Sequence, residues 1–264
     1  MPNCTLNLPM TRSTVPPMPD IAFPIAEGSD VPGYLAVPEG SGPWPGVIVI
    51  QDVLGMTADL RRITDRFAAS GYLTLTPALY GSRRPKIVCM IATMRGHFTG
   101  RGPAWGTVIA AREHLMADTQ CTSRVGVAGF CMGAGYCLQL APSGLFDAAA
   151  PCYASLPKEV DGLRRSCPVV ASFGAKDPIV ARGAAAKLEA VLADGQVPRD
   201  IKEYPHVGHS FMNDHPIPAP IRLVTDIAGL AYSKPEAEDA WQRIIAFFDE
   251  HLRFDGDRKL CGPP

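Results

Sequence analysis

Four consecutive β-branched residues, Val47-Ile48-Val49-Ile50, follow a Pro/Gly loop, PEGSGPWPG (38–46). A run without polar alternation describes a strand buried on both faces, the environment of a mainly parallel sheet. Parallel neighbours cannot be joined by a tight hairpin and need a crossover, usually a helix. The chain supplies these in turn. Thr57–Ser70 places Leu60, Ile63, Phe67 and Ala68 at helical spacing, with Gly71 where a C-cap is expected. Tyr72–Thr76 reads as a strand, Trp105–Met116 as a helix, Arg124–Val127 as a strand and Met132–Ala141 as a helix. Strands at Ala148–Tyr153 and Pro168–Phe173, a helix at Ala184–Leu192, a strand at Ile201–Tyr204 and an amphipathic helix at Ala237–Leu252 complete the series. Ahead of it, Ile21–Ile25 and Tyr34–Val37 carry β signals separated by turn residues. The expected class is α/β, a mainly parallel central sheet with helices on both faces.

With 264 residues, 47% of them hydrophobic, the chain can bury one large core. No break in composition divides it, so residues 19–264 are expected to form one domain after a flexible leader at 1–18. The net charge of −1 provides no basic footprint for nucleic acid. No apolar stretch approaches the length of a membrane span, and the first residues lack the apolar core of a signal peptide. A cytoplasmic protein acting on a small molecule, without nucleic-acid or membrane partners, is expected; monomer and homodimer stay open. Several of the eight cysteines lie in apolar runs, as Cys89 does in KIVCMIA and Cys152 in AAAPCYA, and read as packing residues. Neither a C-x-x-C pair nor an H-E-x-x-H pair occurs, so no metal site is expected.

In such sheets, chemistry concentrates in loops at the carboxyl ends of the strands. There the chain carries Gly129-Phe130-Cys131-Met132-Gly133 between a strand and a helix. G-x-C-x-G in this setting is a nucleophile elbow with cysteine in the usual place of serine. The flanking glycines remove Cβ atoms that would collide, and the following helix aims its first N–H groups at the sulfur, favouring negative charge there. A Gly-rich turn holding an incidental thiol is the plainer alternative.

The partners should follow in the order acid, then histidine. SFGAKDP (172–178) puts Asp177 just after a buried strand, and HVGHSF (206–211) puts His209 just after the next. Alone, Asp177 could be a turn residue and His209 a loop histidine; order and strand-end setting together argue for a constellation. His206 competes with His209 but abuts the strand itself. His97, His114, His215 and His251 have no comparable setting and read as surface or structural.

QDVLGM (51–56), LTPALYG (75–81), GFCMGAG (129–135), FGAKDP (173–178) and GHSF (208–211) resemble the dienelactone hydrolase (carboxymethylenebutenolidase) family of α/β-hydrolases over roughly residues 20–252. That resemblance implies a Cys131, His209 and Asp177 triad, with an oxyanion hole made by the backbone N–H groups of Val53 and Met132. It implies hydrolysis of a small ester or lactone without metal or organic cofactor. Asp52 stands where the family has a glutamate paired with the resting thiol, one methylene shorter. Arg83 or Arg84 takes the place of one substrate-binding arginine. Asn213 replaces a second, and an amide cannot offer a carboxylate the charged fork of arginine. Ala78 replaces an aspartate often found in that stretch and reads as structural. A redox-responsive thiol protein on the same scaffold is the alternative in another class.

Overall fold

The computed structural model describes residues 20–25, 28–81, 86–215 and 230–253. The expected leader and both candidate arginines, Arg83 and Arg84, lie outside these residues. The chain order is β1 (Asp20–Pro24), β2 (Asp30–Ala36), β3 (Trp44–Ile50), α1 (Ala58–Ala69), β4 (Leu73–Pro77), α2 (Lys86–Thr99), α3 (Pro103–Ala117) and β5 (Cys121–Phe130). It continues with α4 (Met132–Leu140), β6 (Ala148–Cys152), β7 (Val169–Gly174), α5 (Ala184–Asp194), β8 (Arg199–Tyr204) and α6 (Lys234–Phe248).

The strands form one sheet in the order β1-β2-β4-β3-β5-β6-β7-β8. β1 and β2, and β2 and β4, pair antiparallel, while every pairing from β4 to β8 is parallel. β3 shows why the continuous apolar run was informative. Ile48 and Ile50 enter one core with residues of α3, α4 and α5, such as Val108, Leu138 and Leu188. Val47 and Val49 point the other way and pack with Leu60, Ile63 and Phe67 of α1 and with Trp241, Ile244 and Phe248 of α6. Alternate side chains of one strand therefore serve two cores. All four are fully buried, and at about 25 cal/mol per Å2 of apolar surface each such side chain contributes roughly 1.5–3 kcal/mol.

Local chemistry sets the element ends. Thr57 caps α1, its side-chain oxygen accepting the Leu60 N–H at 3.1 Å. Gly71 leaves that helix with φ +83°, the left-handed conformation open to glycine. Pro235 lies in the first turn of α6, which begins at Lys234 rather than at the expected Ala237. One element differs in kind from the sequence reading: α2 was not expected. Its outward positions are themselves apolar, with Ile87, Val88 and Ile91 55, 43 and 60% exposed, so no single apolar stripe marks it. The packing role expected of cysteine holds for Cys89, Cys137 and Cys152, which are buried. No helix among the described residues is long and apolar enough to cross a membrane.

Candidate active site

β5 and α4 meet at Cys131, whose backbone adopts φ 54° and ψ −114°. A positive φ is uncommon outside glycine and is sustained only where the surroundings enforce it. The enforcement is visible on both sides. A Cβ on Gly129 would lie 2.2 Å from the carbonyl oxygen of Gly133, and one on Gly133 would lie 2.3 Å from that of Ile50. The start of α4 is thus pressed against β3 and β5 with room only for hydrogen at both positions. The Cys131 N–H donates to the Cys152 carbonyl at 3.2 Å, tying the turn to β6. Met132 is the first residue of α4, where helix geometry leaves an N–H without an intrahelical acceptor.

His209 and Asp177 come from the loops after β8 and β7. The carbonyls of Val207 and Gly208 pass so close to Gly174 that a Cβ there would lie 2.6 and 2.4 Å from them. That contact brings the two loops together. His209 Nδ1 lies 2.7 Å from Asp177 Oδ2, with both side chains 3% exposed. The second carboxylate oxygen accepts the N–H groups of Ile179 at 2.7 Å and Val180 at 2.9 Å, so the carboxylate is oriented from both ends. Burial works against charge on either group. At His209 it is outweighed by the Asp177 hydrogen bond and the Cys131 thiol, which push the imidazole pKa up to about 9. At Asp177 burial is outweighed by His209 and the two backbone N–H groups, holding the carboxyl below its ordinary range.

Because Nδ1 serves Asp177, Nε2 is the ring nitrogen left to take another partner. It is buried and makes no well-directed hydrogen bond among the described residues, and the Cys131 thiol interacts with the ring beside Asp177. His206, the competing histidine, is exposed.

The loop after β3 forms another wall. Gln51 is fully buried and its Oε1 accepts the Leu79 N–H at 3.1 Å, while the Tyr80 hydroxyl donates to the Val53 carbonyl at 3.1 Å. These bonds fix the backbone around Val53 to the end of β4. Asp52 Oδ1 accepts the Leu54 N–H at 2.7 Å, and its Oδ2 faces His215 Nε2 at 3.5 Å. His215, expected to be structural or superficial, is therefore the partner of Asp52. Asn213, expected at the substrate, is 4% exposed. Its Oδ1 accepts the Tyr153 hydroxyl and its Nδ2 donates to Asp59 Oδ2 at 2.8 Å. Tyr153 escaped the sequence reading although it closes a predicted strand beside β5. It has φ 47°, is fully buried, and sets its ring edge-on to His209 at 5.1 Å between centroids. Strand-end position was the signal that could have found it; His215 had none.

A mainly parallel eight-stranded sheet with a strained strand-to-helix turn at its carboxyl end defines an α/β-hydrolase fold. Within that class, the pattern of the dienelactone hydrolase family matches residues 31–252, and the chain belongs to that family. It is 26% identical over 251 residues to a Synechocystis protein named "Putative carboxymethylenebutenolidase", an alignment covering 84% of this chain and 93% of the relative. It is 29% identical over 237 residues to "Protein usf" of Aquifex pyrophilus, covering 85% and 95%. The solved structure of m3DLH, 27% identical, superposes with a TM-score of 0.74 over 89% of this chain and 98% of its own. A dienelactone hydrolase-like promiscuous phosphotriesterase from metagenomic libraries, 24% identical with a TM-score of 0.74, shares the fold over 89% of this chain and 98% of its own.

Proposed function

We propose that the chain hydrolyses small esters or lactones with Cys131 as nucleophile, His209 as proton carrier and Asp177 as the group that orients it. The observation that carries this reading is the buried His209–Asp177 pair, which leaves Nε2 to a thiol held on a strained turn. In the first half-reaction His209 already holds the proton on Nε2, as its raised pKa favours, and the Cys131 sulfur paired with it attacks the carbonyl carbon as the thiolate. The N–H groups of Val53 and Met132 stabilise the oxyanion of the tetrahedral intermediate. Collapse breaks the C–O bond, and His209 returns the proton to the departing alkoxide. Water, deprotonated by His209, then attacks the thioester, releasing the carboxylic acid and restoring the thiolate beside the protonated His209. Asp177 keeps Nδ1 protonated and offsets the charge on the imidazolium.

Asp52 stands beside this machinery, with its carboxylate engaged by Leu54 and His215. Asn213 supports the site through Tyr153 rather than offering its amide to substrate. Of the positions expected to bind an anionic substrate, Asn213 has no charge to offer and Arg83 or Arg84 keeps one, so neutral esters and lactones are the preferred class. A buried, oriented histidine–carboxylate pair favours acyl transfer over a redox role for Cys131, which needs no such pair. We place the protein in the cytoplasm, consistent with the absence of disulfides among the described residues.

The test compares wild type with Cys131→Ala and Cys131→Ser on lactones and aryl esters with and without a carboxylate. Wild type should form an acyl-enzyme of the expected mass at Cys131 and turn over neutral substrates best, and Cys131→Ala should be inactive while folded. Undiminished turnover by Cys131→Ala overturns the reading.

A further inference from the structure

His215 lies between two carboxylates contributed by different segments. Its Nε2 is 3.5 Å from Asp52 Oδ2, in the loop after β3, and its Nδ1 is 4.0 Å from Asp59 Oδ2, in the first turn of α1. Asp59 has no exposed side-chain surface and Asp52 has 11%, so neither charge is dispersed in water. The segment carrying His215 is itself anchored on Asp59: Asn213 Nδ2 donates to it at 2.8 Å and the Asp214 N–H at 3.2 Å. Asn213 in turn holds the hydroxyl of Tyr153, whose ring edge packs on His209. One polar network therefore joins the loop bearing the Val53 N–H to the loop bearing His209.

We propose that His215 is a positioning residue for the reaction: as a cation bridging Asp52 and Asp59, it pins the Gln51–Leu54 loop so that the Val53 N–H points at the developing oxyanion. This rests on the hydrolase reading above. The charge requirement is electrostatic. At 3.5 and 4.0 Å the two contacts are ion-pair distances, and only the imidazolium carries the charge that attracts both carboxylates. Among the described residues, the charged groups that act on His215 are Asp52 from the loop and Asp59 and Arg62 from α1. Arg62 is itself paired with Asp59. The Asp52 contact, aided by Asp59, raises the His215 pKa against the opposing effects of burial and Arg62. Loss of the proton removes the positive charge that lies between the Asp52 and Asp59 carboxylates.

Two measurements on the full chain test this. In the first, kcat and KM for a neutral aryl ester are recorded against pH for wild type, His215→Gln and His215→Arg, with thermal melts confirming each fold. His215→Gln should lose about tenfold in kcat with KM within about twofold, as expected when a transition-state contact is displaced. His215→Arg, charged at every working pH, should recover most of kcat and keep it at alkaline pH where wild type declines. A kcat for His215→Gln within about twofold of wild type at every pH overturns the proposal, as does a failure of His215→Arg to exceed His215→Gln. In the second, the His215 ring is titrated by NMR in wild type and Asp52→Asn; its midpoint should fall in the variant, and an unchanged midpoint overturns the bridge. If wild type shows no turnover that depends on Cys131, the hydrolase reading fails, while the titration still decides the bridge.

Discussion

The imidazole of His209 meets the carboxylate of Asp177 at 2.7 Å, with both side chains almost completely shielded from water. Replacing that carboxylate by an amide keeps the shape and removes the charge. Asp177→Asn should lower kcat/KM for a neutral ester by about 10²–10⁴-fold, because the amide favours the wrong tautomer and cannot stabilise the imidazolium. Steady-state kinetics decide this; a loss below about threefold would show that Asp177 is not the orienting group.

The same pair makes stability depend on pH in a defined direction. His209 titrates at about 9 in the folded protein, above the ordinary 6.5. The fold therefore binds this proton more tightly than the unfolded chain does. Its stabilising contribution is complete below about pH 6.5 and disappears as pH rises through about 9. Urea denaturation at pH values of about 7 and 9.5 should show wild type losing on the order of 1–3 kcal/mol more than Asp177→Asn over that interval. Equal losses in the two proteins would contradict it. For Asp177 the sign is opposite: its pKa is lowered, so its contribution is present above the ordinary carboxyl range and is lost on acidification through the lower folded value.

Gly133 leaves no space for a methyl group, since its Cβ would lie 2.3 Å from the Ile50 carbonyl oxygen and 2.6 Å from that of Gln51. Backbone atoms of a central strand cannot retreat as a flexible side chain does. Gly133→Ala should destabilise the fold by more than about 2 kcal/mol and displace Cys131, measured by thermal melts and by the rate of thiol alkylation. Gly106→Ala serves as the control, because a Cβ there meets no atom within 4 Å. Equal melting temperatures for the two variants would refute the packing argument.

Tyr153 joins the histidine to the polar network through its ring and hydroxyl. Tyr153→Phe retains the ring against His209 and strips the hydroxyl from buried Asn213. Leaving that amide oxygen without a donor should cost about 1–3 kcal/mol of stability, read as a lower urea midpoint at unchanged slope. An unchanged midpoint would mean that Asn213 finds another donor.

The parallel sheet, the elbow and the Asp177–His209 pair were legible in the chain because each depends on local pattern. Val47–Ile50 lacks polar alternation since it serves two cores, and Gly129 and Gly133 bracket Cys131 since no side chain fits there. α2 was not legible: three of its apolar side chains face outward, so burial and hydrophobicity part company along it. His215 and Tyr153 were not legible for a different reason. Their partners are set by how loops after separate strands fold over one another, as with Asn213 and Asp59, 154 residues apart in the chain. Spacing in a sequence records which residues share a strand or a turn of helix. It does not record which carboxylates come to face one histidine, because that is decided by the sheet order that brings the strand ends together.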